Sequence, residues 1–158
     1  MKSSLDSLIV EKDIKEYKKE LLKLKAPPKS ENNEKAISYL IKRGNDYNII
    51  MNVIQMGLVY QSDVVYKTNK KVYSNVVFKG YERKTRKDMY YGLRGIYSNF
   101  IGEAEGSNKS YSFLLGGNYN SETVHLCESP IDALSVLTIK KMDNDNYLFN
   151  HIISLSGI

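Results

Sequence analysis

Apolar residues near the start of the chain recur at steps of three and four. Leu5, Leu8, Ile9, Ile14, Tyr17, Leu21 and Leu24 form one stripe between lysines and glutamates, which predicts an amphipathic helix over residues 3–25. Ala26-Pro27-Pro28-Lys29 ends it, because proline cannot continue a helix and restricts the residue before it. Residues 30–34 read as linker and helix start. A second helix is expected over 34–43, stopped by Gly44. A third follows over 47–56, with Asp46 as its cap and Gly57 at its end.

The pattern then turns towards strands. Leu58-Val59-Tyr60-Gln61-Ser62 begins β structure. Residues 72–82 and 89–97 are two strand candidates joined by the polar tip Arg83-Lys84-Thr85-Arg86-Lys87-Asp88. Residues 109–117 alternate apolar and polar and predict a third strand; residues 122–127 predict a fourth. A helix over 130–141 and a strand within 146–158 complete the chain. The fold class expected is α+β: N-terminal helices, a mainly antiparallel β meander, then a βαβ unit. The chain divides into an N-terminal helix and linker (1–30), a middle subdomain (31–120) and the βαβ unit (121–158).

Composition narrows the class. At 158 residues, 42% hydrophobic and 26% charged, the chain reads as ordinary globular protein with a core of its own. No apolar run approaches the roughly 20 residues of a membrane span, and Leu8–Val10 is too short for a secretory signal. No membrane partner and a cytoplasmic location are therefore expected. The single cysteine, Cys127, excludes an internal disulfide and a cysteine-rich zinc site. A formal charge of +5 is compatible with a polyanionic partner, although an AT-rich coding bias towards Lys, Asn, Ile and Tyr would give the same balance.

Chemistry concentrates in Val124–Val136. Glu128 ends an apolar strand and Asp132 follows four residues later. In an α/β sheet, functional groups gather at the carboxyl ends of strands, and a carboxylate there can hold a divalent cation or act as a base. Asp132 has a structural reading as well: Ser129, Pro130 and Asp132 make a capping box. Residues 102–110 contain a glycine turn but fail the Walker pattern, because Ser107 and Asn108 separate Gly106 from Lys109. The turn delivers Lys109 to the start of a strand, and the amides of Gly106 and Ser107 could meet a phosphate; a polar hairpin loop is the plainer alternative. Lys79, Arg83, Lys84, Arg86 and Lys87 read as a solvated basic tip. Arg94, alone inside a strand, suggests a groove that needs a fixed cation. The 13 tyrosines could stack on unpaired bases, or simply fill the core.

These residues resemble a family. Leu126-Cys127-Glu128-Ser129-Pro130-Ile131-Asp132 looks like the first acidic motif of the Toprim fold of primases, topoisomerases and related nucleases, and Ile152–Ile158 like its next strand. Upstream, Tyr39, Leu40, Arg43, Gly44 and Asp46; Asn75–Phe78; Arg94 and Gly95; and Gly106, Ser107, Lys109, Tyr111 and Phe113 resemble the domain of unknown function that precedes Toprim-like domains in Gram-positive plasmid and integrative-element proteins. The resemblance implies a primase-like protein acting on phosphodiester bonds. Glu128 would be a metal-linked carboxylate or base, with Asp132 a second acid. Arg94, Lys109, Ser107 and Arg43 would contact phosphate or nucleic acid, either single-stranded DNA or an RNA/DNA hybrid. The Asp-x-Asp motif that completes a Toprim Mg²⁺ site is not reached by Ile158, so Mg²⁺ is expected only for a complete domain. The resemblance thus covers about half of a Toprim domain, inactive alone. The other function considered is a non-catalytic nucleic-acid-binding or scaffolding module. An unfinished parallel sheet is also expected to expose an edge strand at 149–156 and to form a homodimer through it.

Overall fold

The caps and glycines read from the sequence set the first two helices of the structure, a computed structural model that describes residues 23–65, 68–116, 120–145 and 150–155. Helix α1 is Glu34–Lys42 and α2 is Tyr47–Gln55. Gly44 and Gly57 follow them at φ +88° and +70°, a left-handed backbone that costs glycine little. Asp46 caps α2 through a hydrogen bond accepted from the Ile49 amide. The start of α1 is served from elsewhere: Gln61 Oε1 accepts from the amides of Lys35 at 2.9 Å and Ala36 at 3.2 Å. Most of the expected N-terminal helix lies outside the described residues, and Lys23–Lys25 belong to no helix.

Four antiparallel strands form the first sheet in the order β1-β2-β3-β4: Val59–Val65, Val72–Tyr81, Asp88–Gly95 and Ile101–Glu103. Alternation sorts its side chains to two faces. Val76 and Phe78 join the main core with α1 and α2, while Val77 faces the other way, with Tyr60, Tyr91 and Ala104. That outer face is covered by residues 23–30. Leu24 packs on it, the Lys25 amide donates to Glu105 O at 2.9 Å, and Tyr60 Oη donates to Pro27 O at 3.0 Å. A segment with the composition of a linker is thus a packed strap.

The second sheet is mixed. Strands β5 (Leu114–Leu115), β6 (Val124–Cys127) and β7 (His151–Ser154) lie in the order β5-β7-β6, with β6 and β7 parallel and joined through helix α3, Pro130–Met142. Leu115, Cys127 and Ile152 meet Ile131, Ala133, Leu134 and Leu137 of α3 in the same core that holds Ala36, Leu40 and Ile50. Residues on both sides of position 120 therefore share one core. No described helix is long and apolar enough to cross a membrane.

Three expectations are corrected. Residues 109–117 do not form one strand: Lys109–Tyr111 is a 3₁₀ turn, and only Leu114–Leu115 pairs in a sheet. Backbone 111–112 crosses β2 at Gly80, where a Cβ would lie 1.7 Å from Tyr111 O, so the segment is bent across the sheet instead of running along it. β4 has no counterpart in the sequence reading; three residues are too few for alternation to show. The expected edge strand, within 149–156, is the interior of its sheet. β7 is hydrogen-bonded on both sides, and the edges are β5 and β6. The dimer expected through that edge loses its structural basis.

Candidate functional site

A cleft of about 860 Å³ opens between the inner face of the first sheet and the carboxyl ends of β6 and β7. Its floor follows from register. Val76 pairs with Arg94, Phe78 with Gly92, and Gly92 in turn with Glu103, so Arg94, Gly92 and Glu103 share the face that Val76 and Phe78 present to the core. Lys109 reaches the cleft from the 3₁₀ turn, and Arg43 from the residue that follows α1. Glu128, Ser129, Pro130, Ile131 and Asp132 form the opposite wall, where β6 passes into α3.

Five of the six site residues expected from the sequence line this one cleft: Arg43, Arg94, Lys109, Glu128 and Asp132. They come from four separate places in the chain order, since Glu128 and Asp132 share the passage from β6 to α3, and the fold gathers them. Ser107 is not among them. Its Oγ accepts from the Tyr91 amide at 3.2 Å, and its own amide donates to Ala104 O, so it secures the turn. Glu103 was missed by sequence reasoning; it lies on the short strand β4 that the pattern did not reveal. Tyr39 carried a motif without a role. It stands four residues before Arg43, the residue that follows α1, and that spacing of about one helical turn was a signal available in the sequence.

The lining carries three cations and three carboxylates, but they are differently engaged. Lys109 Nζ is 3.8 Å from Glu103 Oε2, an exposed pair worth about 0–1 kcal/mol. Asp132 is held by its cap: Oδ2 accepts from the Ser129 amide at 3.1 Å and from Ser129 Oγ at 2.7 Å, and the Asp132 amide donates back to Ser129 Oγ at 3.2 Å. The capping box read from the sequence is present in full. Glu128 is exposed and makes no ion pair among the described residues. Arg94 is half-buried and likewise makes none; its Nε–H donates to Tyr39 Oη at 3.3 Å. Just before Glu128, burial pushes the Cys127 thiol pKa up, and the nearby Asp132 charge adds to the rise.

Mg²⁺ demands near-octahedral oxygen coordination and is held through carboxylates, phosphates and water. Among the described residues no three Asp, Glu, His or Cys side chains converge into a metal-holding group. Asp132 gives its Oδ2 to the cap and Glu128 is exposed, so that wall offers two carboxylates and no third. The described residues do not fit a complete Mg²⁺ site, and no chemical step is derived through one.

Comparison with family models, with curated proteins and with solved structures gives no match for this chain.

Proposed function

We propose that the cleft binds a phosphate-bearing strand of nucleic acid, and that the chain is the nucleic-acid-binding part of a primase-like, Toprim-related protein. The observation that carries this reading is the convergence of Arg43, Arg94 and Lys109 on one cleft from three distant segments. Guanidinium groups suit phosphate, because their planar fork matches its oxygens. The wall formed by Glu128 and Asp132 repels phosphate, so the strand lies against the Arg94 side. The test is anisotropy of labelled single-stranded and duplex oligonucleotides at low salt, with Mg²⁺ or with EDTA. Salt-sensitive binding that EDTA leaves intact is expected, and the double variant R43A/R94A lowers the slope of log affinity against log salt by about 1.4 on single strands. No binding of either form at low salt overturns the reading.

A catalytic role is the second reading, favoured by Glu128 standing open at the carboxyl end of β6, where α/β enzymes place reacting groups. It belongs to a complete Toprim domain. Primer synthesis or nicking by such a protein, lost in Glu128→Gln, would support it; unchanged activity would exclude this role for Glu128.

A further inference from the structure

We propose that Tyr39 and Arg94 form a two-oxygen anion clamp, with Tyr39 as the positioning residue and the two non-bridging oxygens of a backbone phosphodiester as its ligand. The inference rests on the nucleic-acid reading of the cleft and names how that site holds its ligand.

The argument begins with the hydrogen bond. Arg94 spends its Nε–H on Tyr39 Oη at 3.3 Å. This engages the inner nitrogen of the guanidinium and leaves its two terminal nitrogens, on a residue that lines the cleft, without an acidic partner among the described residues. A half-buried guanidinium is costly unless it is paired, and a carboxylate partner is the ordinary solution. Here three carboxylates line the same cleft, yet none pairs with Arg94. The fork is therefore held ready for an anion that the described residues do not supply.

The anchor is itself rigid. Tyr39 lies on α1, its ring packed against the main core, so its hydroxyl is presented from a fixed element. Arg94 is fixed at the other end by pairing on both sides of β3, with Val76 and with Ile101. Other positive groups serve less well. Lys109 is occupied by Glu103, and a lysine offers a point charge instead of a fork. The N-terminus of α3 is already filled by the Asp132 carboxylate, so it repels an anion. Arg43, one helical turn beyond Tyr39, flanks the clamp and can meet the next phosphate along a strand.

The test uses the full chain with labelled oligo(dT), in the wild type, Tyr39→Phe, Arg94→Lys and the double variant. Tyr39→Phe keeps the ring in the core and removes only the hydroxyl. Losing one internal hydrogen bond lowers the denaturation midpoint slightly, and binding is expected to weaken about 2- to 10-fold because the fork is no longer positioned. Arg94→Lys keeps the charge and loses the fork, weakening binding about 10-fold or more. The double variant should match Arg94→Lys, since both changes disable one unit. Wild-type affinity in Tyr39→Phe, or losses that simply add, overturns the clamp while leaving the cleft reading intact. A second measurement follows the Arg94 Nε–Hε NMR signal on adding inorganic phosphate. If oligo(dT) does not bind but this signal shifts in the wild type and not in Tyr39→Phe, the nucleic-acid reading fails and the clamp stands as a site for a smaller phosphate. If neither binds, both fail.

Discussion

Lys141 Nζ donates to Asp46 Oδ1 at 2.7 Å, so the last turn of α3 holds the cap of α2. Asp46 is bound three ways. Its Oδ1 also accepts from the Ile49 amide at 3.1 Å, and its own amide donates to Thr138 Oγ1 at 3.0 Å. This junction fixes the carboxyl wall of the cleft, which begins α3, relative to the turn that carries Arg43.

The junction gives stability a dependence on pH. The bond from Lys141 is the main cause holding the Asp46 carboxyl pKa below its ordinary value. A depressed folded pKa means stability that is fully present above the unfolded value of about 3.9 and is lost as pH falls through the lower folded value. Asp46→Asn keeps a good capping residue and removes the ion pair. It should cost about 0.5–1 kcal/mol at neutral pH, with the gap to wild type closing below about pH 4. Urea denaturation at both pH values measures this; a gap that persists in acid would assign the cost to something other than the Lys141 link.

Gly80 controls where Lys109 sits. A Cβ there would lie 1.7 Å from Tyr111 O and 2.8 Å from Tyr111 C, both backbone atoms that cannot swing aside. Gly80→Ala should therefore destabilise by about 1–3 kcal/mol and displace the turn that brings Lys109 to the cleft, weakening oligonucleotide binding as well. A stable variant with wild-type affinity would show that the crossing is looser than described.

Phe113 pins the same segment at its other end. It is 0% exposed and meets Phe78 edge-on, with ring centroids 5.5 Å apart at 78°. Phe113→Ala should cost about 3–5 kcal/mol, the range for removing a buried phenylalanine. Chemical denaturation followed by tyrosine fluorescence reads the loss. A cost near 1 kcal/mol would mean that the core closes over the gap.

Cys127 reports on β6, the edge strand that leads to Glu128. The thiol is 8% exposed, and its raised pKa leaves little thiolate at neutral pH. Ellman's reagent should label native protein far more slowly than unfolded protein, with a rate that rises with denaturant. Prompt labelling of the native state would show that β6 opens on its own.

Much of this molecule was legible where a local rule had no rival. Gly44, Gly57 and Asp46 bound two helices because left-handed glycine and side-chain capping act within a few residues. The Ser129–Asp132 capping box was equally readable and is present as expected. The long strands β2 and β3 showed because ten and eight residues give alternation room to repeat. The α+β class followed from these elements.

Other features depended on contacts distant in sequence. Alternation over 109–117 predicted a strand, but Phe113 is drawn under the core and the backbone is folded over Gly80, which breaks the strand into a turn and a short pair. The placement of β7 between β5 and β6 could not be seen either. Strand order is set by which faces bury together, and a strand of four residues carries no mark of being central. For the site, residue types alone named Arg94, Glu128 and Lys109. Their meeting in one cleft was decided by the register of β2 with β3 and by the packing of α3 on the shared core. Sequence determined most of the elements and their chemistry, though not β4 or the turn at Lys109–Tyr111, because capping, periodicity and charge are local. The tertiary structure alone decided which charges are engaged, since the bonds of Arg94 to Tyr39 and Lys141 to Asp46 join residues 55 and 95 positions apart.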